Sequence, residues 1–297
     1  MGIDVGGTKV ALRAEHPDGT VREAGFRWPR GTADAARDLD LLVREIRELC
    51  AGAPDGPAGV GVAMPATLDA KGVVTAWPNR PAWNGLDIGG ALRGALAAAD
   101  VVCADDGDLA ALAEAHAAGL SDLLYLGVGT GIGGGVVLGG RLLPGPARGS
   151  CEIGHLIVDH RSGQRCDCGR RGCVQSVASG PALLRAAARA RGAEVAYEEL
   201  VRGFADGAPW ATGPVGEGCA ALAAAAVGVC ELLHPMTVVV GGGFADGLPG
   251  LSDTLAARTA LLARPGHPAP AVRPARLGGL SSLHGAVLLA RTGNTEE

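Results

Sequence analysis

The chain has 297 residues, 47% of them apolar, and a formal net charge of −5 at pH 7. That length allows a large core and about two domains. The acidic balance argues against a nucleic-acid partner or an anionic membrane surface, and the 49 glycines follow no collagen period.

From the N-terminus, "MGIDVGGTKVALRAE" reads as a strand, a turn at Gly6-Gly7 and a second strand. Asp4 interrupts the first apolar residues, so no signal peptide is read there. Asp38 to Cys50 carries apolar residues at helical spacing, and Ala58 to Met64 is a short apolar strand. "ADVVCADD" is another strand ending in aspartates, and Leu109 to Ala118 reads as a helix. The grammar then restarts: Asp122 to Leu143 is strand, glycine turn, strand, turn. A Gly/Arg/Cys loop follows at Arg161 to Gly172, then helices, then "TVVVGGGFADG" as a buried strand entering a triple-glycine turn. Leu280 to Ala290 reads as a terminal helix. The chain's most apolar helical window, Cys219 to Leu233, is rich in alanine and reads as too short to span a bilayer. The expectation is a cytoplasmic α/β protein built from a duplicated unit. The expected division is 1–106 with 284–297 as one domain and 107–283 as the other.

Glycine turns let backbone N–H groups converge on an anion. Asp4, Gly6, Gly7, Thr8 and Lys9 form D-x-G-G-T-K, in which Thr8 adds a hydroxyl donor and Asp4 is placed to hold Mg²⁺, directly or through water. Gly129, Thr130 and Gly131 open a second such turn, and Gly241, Gly242 and Gly243 a third. One glycine turn alone is as well read as a tight hairpin. None of the three fits the P-loop or the Rossmann fingerprint.

The eight cysteines of a cytoplasmic chain read as thiols or metal ligands. Cys50, Cys103, Cys151, Cys219 and Cys230 are scattered and expected to be buried thiols. C-x-C-G-x-x-G-C with an upstream His offers three thiolates and one imidazole, a closed tetrahedral Zn²⁺ set of His155, Cys166, Cys168 and Cys173.

The order D-x-G-G-T-K, a central strand ending in Asp, G-x-G-T-G-x-G-G-G and V-V-G-G-G resembles the hexokinase/actin/Hsp70-type ATPase fold, with two ribonuclease-H-like domains and a cleft. Within it, "EIGH" at Glu152 to His155 and "CDCGRRGC" at Cys166 to Cys173 resemble the ROK family (repressors, open reading frames, kinases), from Met1 to about Ala290. The resemblance implies an ATP-dependent sugar kinase with Mg²⁺, a structural Zn²⁺ and a homodimer. It implies Asp106 as the base that takes the proton of a primary hydroxyl, and Asn79, Glu152, His155 and the position of Gln175 as sugar contacts. It assigns zinc to the same four ligands. Asp106 also reads as a helix N-cap, though Asp108 is the better capping candidate, and Asn79 also reads as an exposed turn residue.

The chain departs from the family at the sugar side. The family's Glu-Asn-Asp-Ala-Asn is Ala104-Asp105-Asp106-Gly107-Asp108 here, its G-C-x-E is Gly172-Cys173-Val174-Gln175, and its Pro-Gly is Pro65-Ala66. An amide donates and accepts, whereas an ionised carboxylate only accepts. Asp105 beside Asp106 therefore calls for a cation, and an ammonium on the acceptor supplies one. The expected substrate is an amino sugar, most sharply 3-amino-3-deoxyglucose (kanosamine), phosphorylated at O6 and serving secondary metabolism. A C7-cyclitol, suggested by Gln175, and plain glucose are the rivals. Drift of Asp105 toward solvent is the bland alternative. A sugar-responsive repressor would carry a helix-turn-helix before D-x-G-G-T, and a non-catalytic sugar-binding regulator would have lost Asp106 or a glycine turn; neither is expected.

Overall fold

The computed structural model describes residues 1–29, 34–51, 56–69, 71–96, 99–145, 149–161 and 163–292. The chain divides into two compact units. One holds Met1–Ala113, Leu142–Ser150 and Leu280–Glu297; the other holds Glu114–Arg141 and Cys151–Gly279. The end of the segment expected to close the first domain, 293–297, lies outside the described residues.

The first unit is organised by a five-stranded sheet of order β3-β2-β1-β4-β7. Its strands are β1 (Gly2–Val5), β2 (Lys9–Glu15), β3 (Val21–Arg27), β4 (Gly59–Met64) and β7 (Asp100–Asp105). β1, β2 and β3 run antiparallel, while β1, β4 and β7 run parallel. A short pair, β5 (Thr67–Leu68) and β6 (Val74–Ala76), stands apart. Helices α1 (Ala35–Leu49) and α2 (Ile88–Ala95) belong here. α1 starts where Asp34 accepts from the N–H groups of Ala36 and Arg37, two donors that the helix itself leaves unpaired. Its face of Leu42, Val43, Ile46 and Leu49 joins Ile3, Val5, Leu12, Val60 and Val62 in the core.

Helix α3 (Asp106–Ala118) follows β7 directly, and α10 (Ser281–Thr292) closes the unit by packing on β1 and β4. Gly285 is what lets α10 approach α3: a Cβ there would stand 1.9 Å from the carbonyl oxygen of Leu109.

The second unit repeats the plan with the sheet order β10-β9-β8-β11-β12. The strands are β8 (Leu123–Val128), β9 (Ile132–Leu138), β10 (Arg141–Leu143), β11 (Thr237–Gly241) and β12 (Ala271–Pro274). β8 and β9 are antiparallel; β8, β11 and β12 are parallel. Its helices are α4 (Val174–Ala178), α5 (Gly180–Arg191), α6 (Tyr197–Ala205), α7 (Pro209–Leu233), α8 (Gly243–Asp246) and α9 (Leu251–Ala260).

The apolar window near α7 needs correcting. The helix runs 25 residues and is long and apolar enough, by length and composition, to cross a bilayer. Its alanines, glycines and cysteines instead supply a close-packed face: Ala211, Val215, Cys219, Leu222, Ala223 and Ala226 are buried, and α4, α5, α6 and α9 pack on it. It is the central core helix of its unit, which is why it is apolar on several sides.

Candidate active site

In open parallel sheets, ligands meet the carboxyl ends of the strands. Asp4, on β1, pairs with Ala63, and Met64 pairs with Asp105, so Asp4 and the aspartate cluster stand near the same carboxyl edge of the first unit's sheet. Burial, then the charge of Asp106, push the Asp4 carboxyl up to about 7, against a smaller opposing pull from Lys9. Two carboxylates that raise each other's cost of ionising suit a cation between or beside them, and an all-oxygen donor set suits Mg²⁺.

The three aspartates separate differently from the sequence expectation. Asp105 is the N-cap of α3: its Oδ1 accepts from the N–H of Gly107 at 2.9 Å and, more weakly, of Asp108 at 3.4 Å. Asp108, expected to cap, lies inside the first turn and is 3% exposed. The strand ends one residue earlier than read and the helix starts at Asp106, so the cap moves back with it. Asp106 is thus the first helical residue, half-buried where the helix macrodipole favours an anion.

The first glycine turn is held from behind. The indole Nε1–H of Trp28 donates to the oxygen of Gly6 at 2.8 Å, and the Trp28 amide donates to that of Thr8 at 3.1 Å. Between them the Arg80 guanidinium donates to the oxygen of Gly7 at 3.3 Å. Arg80 lies over the Trp28 ring at 4.3 Å and pairs with Asp38, both side chains buried, while the Trp83 indole also donates to Asp38 at 2.9 Å. Asn79 is exposed and sits on Gly7, where a Cβ would fall 2.8 Å from its own. The sequence reading missed Asp38, Arg80, Trp28 and Trp83. The available signal was an arginine set between tryptophans in "WPNRPAW".

In the second unit, Gly127 and Gly241 are register partners on β8 and β11, so the second and third glycine turns leave neighbouring strands side by side. The second turn is fastened by the Gly180 N–H, which donates to Gly129 O at 2.9 Å. Gln175 fastens it too: its Oε1 accepts from the Ile132 N–H at 3.0 Å. The side chain expected to read the sugar therefore spends its oxygen on the turn.

His155, Cys166, Cys168 and Cys173 come together with their ligand atoms within 4.8 Å of one another. Cys168 Sγ is 3.7 Å from Cys173 Sγ, and Cys166 Sγ is 3.7 Å from His155 Nδ1. Sulfurs on a zinc tetrahedron with bonds of about 2.3 Å lie about 3.8 Å apart, so the cluster has the right size. Burial and the neighbouring thiols raise Cys173, so a bound cation is what would hold it as thiolate at neutral pH. His155 Nε2 faces Glu152 Oε2 at 3.9 Å, and Cys173 is the residue before α4, two positions from Gln175. The cluster is thereby joined to two of the expected sugar contacts. Of the scattered cysteines, Cys219 and Cys230 are buried, and burial pushes them up to about 12 and about 11. Cys50, Cys103 and Cys151, expected to be buried, are only partly so.

Two five-stranded sheets of one repeated order, glycine turns at their strand ends and an aspartate at the carboxyl edge define the actin-like ATPase class of phosphotransferases. Residues 1–293 match the model of the ROK family, and the chain belongs to that family. It is 50% identical over 291 residues to a kanosamine kinase of Amycolatopsis mediterranei, covering 98% of this chain and 95% of that one. Among solved structures it is similar to a ROK hexokinase from Thermus thermophilus, with TM-score 0.83, 33% identity and 98% and 97% of the two chains covered. It is also similar to a ROK family glucokinase from Streptomyces griseus in complex with glucose and AMPPNP, with TM-score 0.79, 26% identity and coverage of 98% and 99%.

Proposed function

We propose that the protein transfers the γ-phosphoryl group of ATP to the 6-hydroxyl of an amino sugar, with kanosamine the favoured acceptor. The observation that carries the substrate is the likeness, over 98% of the chain, to a kinase named for kanosamine. Phosphoryl transfer needs positioning and charge neutralisation more than covalent help. Asp106 accepts the proton of the attacking hydroxyl, and Asp4 holds Mg²⁺ directly or through water. Mg²⁺, when bound, neutralises charge on the transferring phosphoryl group. The N–H groups of the turns at Gly6 to Lys9, Gly129 to Gly131 and Gly241 to Gly243 receive the phosphates and the nucleotide. Zinc on His155, Cys166, Cys168 and Cys173 leaves no open coordination position, so it serves to fix Glu152 and α4. Asn79, Glu152, His155 and the amide nitrogen of Gln175 contact the sugar. A cytoplasmic homodimer belongs to the same reading.

Asp105 supplies the charge for the ammonium. Asn and Asp are about equal as N-caps, so Asp105→Asn keeps α3 capped and removes only the charge. In an ADP-release assay the wild type should prefer the amino sugar to glucose, and the variant should lose roughly ten- to hundred-fold of that preference, as fits one charge-assisted hydrogen bond. Equal use of glucose and amino sugar by the wild type would sink the reading. Glucose remains the second acceptor to test, favoured by the likeness to the Streptomyces griseus glucokinase.

A further inference from the structure

We infer that the buried Asp38–Arg80 pair, with Trp28, is a positioning device for the ATP phosphates: it holds the peptide planes of the first glycine turn so that their N–H groups face the nucleotide. The inference rests on the reading that this turn binds phosphate. It goes beyond that reading by assigning the turn's orientation to three side chains outside it.

The trans peptide sets each C=O opposite the N–H of the next residue. Gly6 O is taken by the Trp28 indole and Gly7 O by Arg80, so the N–H groups of Gly7 and Thr8 are turned the other way. Neither of those N–H groups donates to a backbone or side-chain acceptor among the described residues. The Trp28 amide also holds Thr8 O, and the Gly6 N–H closes the turn on Lys9 O at 2.9 Å. Two glycines have broad freedom of their own. Without anchors the turn would sample other peptide orientations, and each would take a donor away from the anion. Contacts to three successive carbonyls remove that freedom before ATP arrives.

Arg80 suits this task better than a lysine. Its planar fork donates to Gly7 O and to Asp38 while its face lies on Trp28, three contacts from one rigid group. Asp38 is 6% exposed and compensates the buried charge; the Trp83 indole gives it a second donor. A purely structural ion pair would brace two core elements; this one ends on a carbonyl of the phosphate turn.

The test is direct binding of Mg·ATP by calorimetry, without sugar, alongside thermal unfolding and steady-state kinetics. Asp38→Asn with Arg80→Met replaces the pair by groups of similar volume, a change that buried pairs often tolerate, and keeps an oxygen for the Trp83 indole. A folded double variant should bind Mg·ATP about tenfold more weakly, the loss expected when an anchored donor goes astray, with the sugar KM within twofold of wild type. Arg80→Lys, which keeps the charge but not the fork, should recover only part of the affinity. If the double variant fails to fold, Trp28→Phe decides: it keeps an aromatic ring and removes the Gly6 contact, and its Mg·ATP affinity should fall threefold or more. Unchanged Mg·ATP affinity in the folded variants, full recovery in Arg80→Lys, or an equal loss for sugar and ATP would overturn the inference. Because ATP binding is read without an acceptor, a wild type that binds Mg·ATP but phosphorylates no sugar would refute the substrate reading and leave this test intact.

Discussion

Asp4 carries a pH signature that follows from its surroundings. Burial and the charge of Asp106 push its folded-state value to about 7, above the ordinary 3.8. The folded chain then binds a proton more tightly than the unfolded chain between about pH 4 and 7, so stability falls as pH rises through that window, by up to roughly 4 kcal/mol. Asp4→Asn should remove the decline. Urea unfolding of wild type and variant, free of nucleotide and Mg²⁺, from pH 4.5 to 8, measures it; the same pH dependence in both would contradict the burial of the Asp4 carboxyl. The aspartates where β7 meets α3 were legible in the sequence because an apolar run ending in Asp before an Ala-rich run is a local pattern. The capping role of Asp105 was not, because it depends on where the helix begins, and that boundary is set by a difference of one residue.

At the scale of elements, α10 on α3 shows how little side chain the fold tolerates beneath the helix that carries Asp106. Alanine normally improves a helix over glycine by up to about 1 kcal/mol. At Gly285 a Cβ would stand 1.9 Å from a backbone oxygen and 2.8 Å from the Leu109 Cβ, contacts that no rotamer change relieves. Gly285→Ala should therefore destabilise, by about 1–3 kcal/mol as overpacking does. A denaturant midpoint at or above wild type would show that α10 is not seated there. The strands that flank glycine turns were legible because they are apolar and end in turn residues. β3 and β12 were not: they are edge strands whose residues are mostly exposed, so neither alternation nor an apolar run marks them. α7 was read short because alanine and glycine give it no stripe, and only its neighbours show which sides are buried.

Across the whole molecule, the two sheets repeat one order while the loops diverge. The stretch from Pro144 to Cys173 has no helix or strand of its own beyond the single 3-10 turn at Ile153–His155 among the described residues. Loops of that length inside compact units need a function or a staple. Metal analysis of purified protein should find about one zinc per chain. Cys168→Ser should lose it, lower the thermal midpoint and weaken sugar binding more than Mg·ATP binding. A zinc-free wild type with the same midpoint would remove the metal from the fold. The grouping of His155 with Cys166, Cys168 and Cys173 was legible because these residues are close in sequence and chemically distinctive. The Asp38–Arg80 brace was not, because its partners are 42 residues apart and only the tertiary fold brings them together.

The N-cap role of Asp105 has an evolutionary consequence. Codons for Asn and Asp differ by one first-base transition, and α3 accepts either residue as its cap. A lineage can thus exchange a neutral side chain for a charged one here in a single mutational step, with no foldless intermediate to cross. On the proposed reading of Asp105 as a contact to the acceptor, substrate choice can drift between neutral and amino sugars at this position while Asp106 beside it stays unchanged.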